Sequence, residues 1–480
     1  MPFPFSLPTT SPLSFSAYLR SSTHPSLLLA AATQRSVLRA VLKRHKRLPA
    51  PSQPSDLSNV LSALNEYIPY LFALDAGLSG GAVAGEEIDV ILEKELEVEW
   101  RPTLTHSAPG REPPRAKLQS LEYEIYFVLQ TLAYTYTLLA RNQLWTLYAP
   151  ITPTTEQRTT AITTATKYLL QASSIHSYLS NRWVFTSSII DISQPTLGAL
   201  SFLAIAEATL LAVLKDDPYP AIVTQSRNKN DKDWMIKPPD IPKVRAHLFA
   251  RLCLAAAEHA AKASAMLRQQ QEGKPREDLV RYVDDLRKAA RGKACRFFAI
   301  DADLGGTTGE AIAWLRAGKN ELGFSPVSSF GGADASEEGG SRGLVMKIKR
   351  GWSEKREDKR IERGAGGWGS DAGRLEEGRV IDMLESKWVK MNDTINTQLI
   401  PPYAPLLSAM PSGREIHNRP APYVPPGLDE DDVVRMRAPA EEGDGDGFEA
   451  GGEGDSSEEE EEGGGRRAVV GAFPGTAGYY

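Results

Sequence analysis

A chain of 480 residues with 41% hydrophobic content has material for one large core, and by length alone for about three domains. Its net charge of −6 hides a division: residues 429–462 carry 16 acidic residues against Arg435 and Arg437, while residues 1–428 carry 51 basic and 45 acidic. The two cysteines, Cys253 and Cys295, give neither a disulfide framework nor a zinc site, and they fit a reducing, cytosolic compartment.

Phe3 to Phe15 alternates apolar residues with Ser, Thr and Pro, which predicts extended chain or short strands. Its early prolines and lack of a basic stretch make it a poor signal peptide. Helical periodicity runs from Ser26 to Arg47, with Leu28, Val37, Leu38, Val41 and Leu42 on one side. Lys43, Arg44, Lys46 and Arg47 crowd its last turn, where cations suit the helix dipole. A second helix starts at Ser55 or Asp56 and stops at Gly80-Gly81. Glu86 to Leu96 reads as another helix, passing into a short strand at Val98-Glu99-Trp100.

Three long helices follow, over 118–147, 154–179 and 194–214. The apolar run Leu197–Leu214 is broken by Ser201, Glu207 and Thr209; a charge at mid-span is costly in lipid, so this is a core helix. A polar excursion occupies 216–240. Residues 242–271 and 276–302 form a helix pair with an Ala-rich interface, and 309–317 adds a shorter helix. A Gly-rich loop spans 323–343, a charged helix or coil 346–363, and a last helix 374–392.

The next stretch differs from everything before it. Pro401, Pro402, Pro405 and Pro411 lack amide protons and fix φ, so they oppose helix and predict an extended strap. The strap keeps Ile395, Leu399, Ile400, Tyr403, Leu406 and Leu407, which order it only by packing back on the helices. In the box Ser412-Gly413-Arg414-Glu415, the planar fork of Arg414 suits a tie that fastens the strap, with a functional contact of the Arg414-Glu415 pair as the alternative. Past Gly427 the apolar content is too low to fold. The expected division is therefore one helical domain over 1–427, with loop insertions at 216–240 and 323–343, and a disordered acidic tail over 428–480.

No catalytic chemistry emerges. The seven histidines are dispersed, and His247 and His259 stand twelve apart in one helix without a third ligand. Gly364, Gly366 and Gly369 match a phosphate-loop spacing but lack the preceding strand. We expect no enzyme, no metal, no cofactor and no nucleic-acid module. Lys43, Arg44, Lys46 and Arg47 suit an anionic lipid surface at about 1 kcal/mol each, with a solvated helix face as the competing explanation. Tyr219-Pro220-Ala221-Ile222 matches a Tyr-Pro-x-Ile peptide ligand, a short pattern that also arises by chance.

Several segments, collinear over about residues 3–425, resemble the BRO domain family. They are Val98-Glu99-Trp100 with Ser120-Leu121-Glu122-Tyr123-Glu124, Asp191-Ile192-Ser193 before an Ala- and Leu-rich helix, Thr308-Gly309-Glu310-Ala311-Ile312, and the closing strap with its Ser-Gly-Arg-Glu box. The resemblance implies an all-α, elongated and curved domain of long antiparallel helices around a helical hairpin. It also implies a scaffold that takes the C-terminal amphipathic helix of an ESCRT-III subunit on a hydrophobic patch. Matched residue by residue, the patch falls on Leu210, Leu248 and Leu252, with plain core leucine as the alternative. The opening Met1-Pro2-Phe3 to Phe15 and the lack of a following V-shaped coiled-coil domain look most like fungal members. Those act in ambient-pH signalling with other pathway components, recruited from the cytoplasm to the plasma membrane or endosomes. A helical scaffold for a different peptide or membrane partner, or an enzyme with scattered catalytic groups, are the rivals.

Overall fold

The computed structural model of the chain describes residues 2–105, 112–148, 153–182, 189–220, 222, 243–269, 273–324, 369–417 and 420–437. Its helices are α1 (Pro25–Arg47), α2 (Gln53–Leu78), α3 (Leu121–Trp145), α4 (Thr155–Arg182), α5 (Gln194–Asp216), α6 (Lys243–Arg268), α7 (Glu277–Leu304), α8 (Thr308–Glu321) and α9 (Arg374–Met391), then the short α10 (Ala404–Ser408) and α11 (Glu430–Met436). The expected all-α class holds.

From α3 to α8 each helix lies antiparallel on the next. Tyr126 Oη donates to the Leu179 carbonyl at 3.0 Å (α3 to α4), and Arg158 Nη2 reaches the Leu214 carbonyl at 2.8 Å (α4 to α5). Phe202 stacks on His259 at 5.9 Å (α5 to α6), Phe249 meets Phe297 edge-on at 5.3 Å (α6 to α7), and Phe298 meets Trp314 at 4.9 Å (α7 to α8). α5 is long and apolar enough to cross a membrane by length and composition, yet most of it is buried among its neighbours. Its one mid-helix acid, Glu207, accepts the Phe3 amide at 3.1 Å and the Tyr282 hydroxyl at 2.6 Å, so the helix belongs to the core.

Short strands cap the α1–α3 end. β6 (Glu97–Arg101) lies between β1 (Thr9–Thr10) and β7 (Ala116–Gln119), antiparallel to both, with Thr9 opposite Arg101 and Val98 opposite Leu118. The Glu124 carboxylate beneath this sheet accepts from Arg35 Nε and Trp100 Nε1, each at 2.7 Å, and from Tyr67 Oη at 3.1 Å. A second buried cluster joins the far helices: Arg296 Nη2 meets Asp217 at 2.6 Å, its Nε meets Glu377 at 2.5 Å, and Lys293 Nζ meets Glu377 at 2.7 Å.

Four expectations need correction. Glu86–Leu96 is not a helix: β3 (Ala82–Val83) pairs with β4 (Glu86–Glu87), and β5 (Ile91–Leu92) pairs with β2 (Leu19–Arg20). The cause is Asp89, whose carboxylate takes the amides of Ser22 and Thr23 and all three hydroxyls of Ser21, Ser22 and Thr23, so this stretch serves the start of α1. The strap is not wholly extended, because Pro405 sits in the first turn of α10, where a missing amide proton costs nothing. Ile400, Tyr403, Leu406 and Leu407 do pack on the core, but Ile395 is 74% and Leu399 90% exposed. Structure also continues past 427, since Leu428, Val433 and Met436 bury themselves in the core around α1 and α2. Their acidic neighbours mask that apolar set in the sequence. Most of the 216–240 and 323–343 insertions, the charged 346–363 segment and the acidic residues from 438 onward lie outside the described residues.

Candidate partner-binding face

α5 and α6 approach closely because small residues line their contact: a side chain added at Gly198 would meet Met266. At the other end of this pair, Leu210 on α5 and Leu248 on α6 are half-buried, and both pack against the cluster that contains Leu252, Phe249 and Cys253. Leu252 itself is only 5% exposed. The three residues named from sequence are therefore brought to one region, with Leu210 and Leu248 at its surface and Leu252 as its floor. The Cys253 thiol beneath is pushed up to about 12 by burial, which makes it an inert packing group.

The strap crosses α6 within one turn of Leu252. The Arg414 amide donates to the Arg251 carbonyl at 3.0 Å, Arg251 Nε returns a bond to the Ser412 carbonyl at 3.2 Å, and the Gly413 amide donates to Glu258 Oε1 at 3.0 Å. Any side chain at Gly413 would collide with the Ala255 backbone, so the box needs glycine for close approach. Glu415 Oε1 lies 3.8 Å from His259 Nε2, where burial lowers the imidazole pKa and the carboxylate partly offsets it. The tie expected of the Arg414 fork is made instead by backbone amides and by Arg251, and the exposed Arg414 guanidinium forms no ion pair among the described residues. Sequence reasoning missed Arg251 and Glu258. A charged residue on a helix gives no hint that a strap 155 to 161 residues later will lie on it.

Pro401 and Pro402 precede α10, on the stretch that carries the strap from α8 toward α7, where Met410 Sδ meets Arg291 at 3.8 Å. The Tyr219 ring is buried, with the Arg296 guanidinium 5.4 Å from its centroid, so the Tyr-Pro motif is part of the core and not a displayed ligand. Among the described residues no group of His, Cys, Asp or Glu gathers to hold a metal ion.

The sequence profile of the BRO1-like domain matches residues 43–406. The chain belongs to the BRO1-like domain family. It is 47% identical over 517 residues to the pH-response regulator protein palC of Emericella nidulans, covering 99% of each chain. It is 27% identical over 493 residues to the palC protein of Cryptococcus neoformans var. neoformans, covering 88% of this chain and 92% of that one. The family resemblance drawn from the collinear segments thus holds, and within the BRO1-like family the chain is similar to palC regulators. Among solved structures, the ALIX BRO1 CHMP4C complex aligns with a TM-score of 0.51 at 15% identity, over 88% of this chain and 97% of that one. ALIX with the SIVmac239 PYKEVTEDL late domain aligns at 0.55 and 15% identity, over 92% of this chain and 52% of that one. At this identity the two ALIX structures establish a shared fold.

Proposed function

We propose that this BRO1-like chain is a non-enzymatic adaptor of ambient-pH signalling that takes the C-terminal amphipathic helix of an ESCRT-III subunit between α5 and α6. The observation that carries the reading is the pair Leu210 and Leu248, half-exposed over a buried Leu252 on two facing core helices. A helix laid there buries anchors on its own apolar face, each contributing about 1.5–3 kcal/mol before ordering costs. The ALIX BRO1 complex with CHMP4C supports the same mode of use on this fold. The 47% identity to a pH-response regulator supports the signalling role. In this reading the strap is the wall of the groove, and Arg414 stands beside it as an uncommitted cation, suited to an acidic residue on the incoming helix. Recruitment to the plasma membrane or endosomes, together with other pathway components, follows from binding a membrane-assembled polymer.

Leu248→Asp is the decisive variant, because Leu248 is half-exposed and its replacement leaves the floor intact. We expect fluorescence anisotropy with a labelled ESCRT-III C-terminal helix to show binding by native protein and a loss of at least about tenfold in the variant. Equal affinity of native and variant would remove the groove assignment. No binding by folded native protein would remove the adaptor reading.

A further inference from the structure

The cations at the end of α1 divide into two groups that the sequence does not separate. Arg44 Nη2 is paired with Asp56 at 2.8 Å, and Lys46 is paired with Glu112, which also holds Arg101. Lys43 and Arg47 have no such partner among the described residues. They continue a row with Arg39 at four-residue spacing, which puts the three on one side of the helix. The Glu112 contacts draw the chain leading into β7 against this end of α1, and Arg115, the residue before β7, lies near enough for its charge to act on Lys43. Arg39 Nε is buried without a hydrogen-bond partner.

Burial, then the nearby charges of Arg39, Arg115 and Arg47, lower the Lys43 pKa, so these groups repel one another. The helix dipole accounts for cations in the last turn of α1. It does not account for Arg39, two turns further in, or for Arg115 on a separate element. Three planar guanidinium forks and an ammonium, gathered with no carboxylate among the charges that act on Lys43, match the chemistry of phosphate recognition.

We propose that Arg39, Lys43, Arg47 and Arg115 form a binding site for an anion bearing more than one phosphate group. A polyphosphorylated lipid headgroup and a free inositol polyphosphate share this chemistry. The site is independent of the α5–α6 groove and stands or falls without it.

The test compares two charge-neutralised proteins, K43Q/R115Q and R44Q/K46Q, with native protein, each checked by circular dichroism. The probes are inositol hexakisphosphate by calorimetry, and phosphatidylcholine vesicles doped with phosphatidylinositol bisphosphate or with phosphatidylserine at equal charge. Native protein should bind a polyphosphorylated probe, weakening as salt rises, and prefer bisphosphate over serine vesicles. K43Q/R115Q should lose about tenfold or more, and R44Q/K46Q should stay within about twofold. Binding to doped vesicles alone assigns the lipid headgroup; binding to the free polyphosphate as well assigns the phosphate cluster itself. Failure of native protein to bind either probe overturns the site. Equal losses in both variants, or equal binding to serine vesicles, also overturn it, because a diffuse positive field would then suffice.

Discussion

Two of the ties between the C-terminal half of the chain and its helices form a contrast, one inside and one outside. Inside, Arg296 and Lys293 of α7 hold Glu377 of α9 and Asp217 just past α5, with Arg296 and both carboxylates buried away from water and Lys293 at the edge of the cluster. Outside, Ser412–Arg414 lies on α6 through three backbone-mediated bonds and one glycine contact, and its side chains remain at the surface. A buried ion cluster is weak evidence for net stability, yet removing one member strands the others. A backbone tie strands nothing when broken. The inner tie should therefore govern whether the domain folds, and the outer one whether the surface beside Leu252 keeps its shape.

Arg296→Met tests the inner tie and should have the largest effect, a loss of about 3–5 kcal/mol in urea unfolding, because it leaves two buried carboxylates without their main partner. Its pH dependence sharpens the point. Burial pushes the carboxyls of Asp217 and Glu377 up, and the charges of Arg296 and Lys293 more than reverse this, leaving both below the ordinary range. Groups depressed on folding stabilise above their unfolded pKa and lose that stabilisation as pH falls through the folded one. Native stability from this cluster should thus hold down to about pH 4 and fall below it. In Arg296→Met the carboxyls move upward, so its deficit should shrink as pH drops from 7 toward 4. A deficit that stays constant over that range would mean the cluster is not the source.

Gly413→Val tests the outer tie. Forcing a side chain against the Ala255 backbone should cost about 1–3 kcal/mol, or lift the strap and spare the fold. In either case affinity for the ESCRT-III helix should fall, measured as for Leu248→Asp. Unchanged stability and unchanged affinity together would show that the strap is no wall of the groove. The smallest effect is expected from Arg414→Ala: a stability change within about 0.5 kcal/mol, since its backbone makes the tie, with a several-fold loss of helix affinity. A marked stability loss here would return Arg414 to a structural role.

The long helices were legible because their apolar residues recur at helical spacing, and α1 to α5 end within a few residues of where Pro, Gly and polar clusters place them. Glu86–Leu96 misled because its decisive residue, Asp89, acts on Ser22 and Thr23 far away in sequence. The strap's dependence on packing was legible, but which apolar residues it buries was not: Ile395 and Leu399 look no different from Ile400 and Leu406 until the helices are in place. In α11, Val433 and Met436 are three apart among Glu430, Asp431 and Asp432, and net charge outweighed that spacing. The candidate face was named through family resemblance and not from spacing. Nothing local marks Leu210 and Leu248 as surface leucines among so many core ones, because exposure depends on what lies across from them.

The first residues of the chain carry a further consequence. Phe3 and Phe5 are core residues, Phe3 edge-on to Tyr282 and Phe5 stacked on Tyr134, with the Phe3 amide on Glu207 and the Pro2 carbonyl on Arg141. During synthesis these earliest residues must wait for partners made long afterward, Tyr282 last of them. The segment around Phe3 and Phe5 therefore docks late on the ribosome, only after α7 has been made.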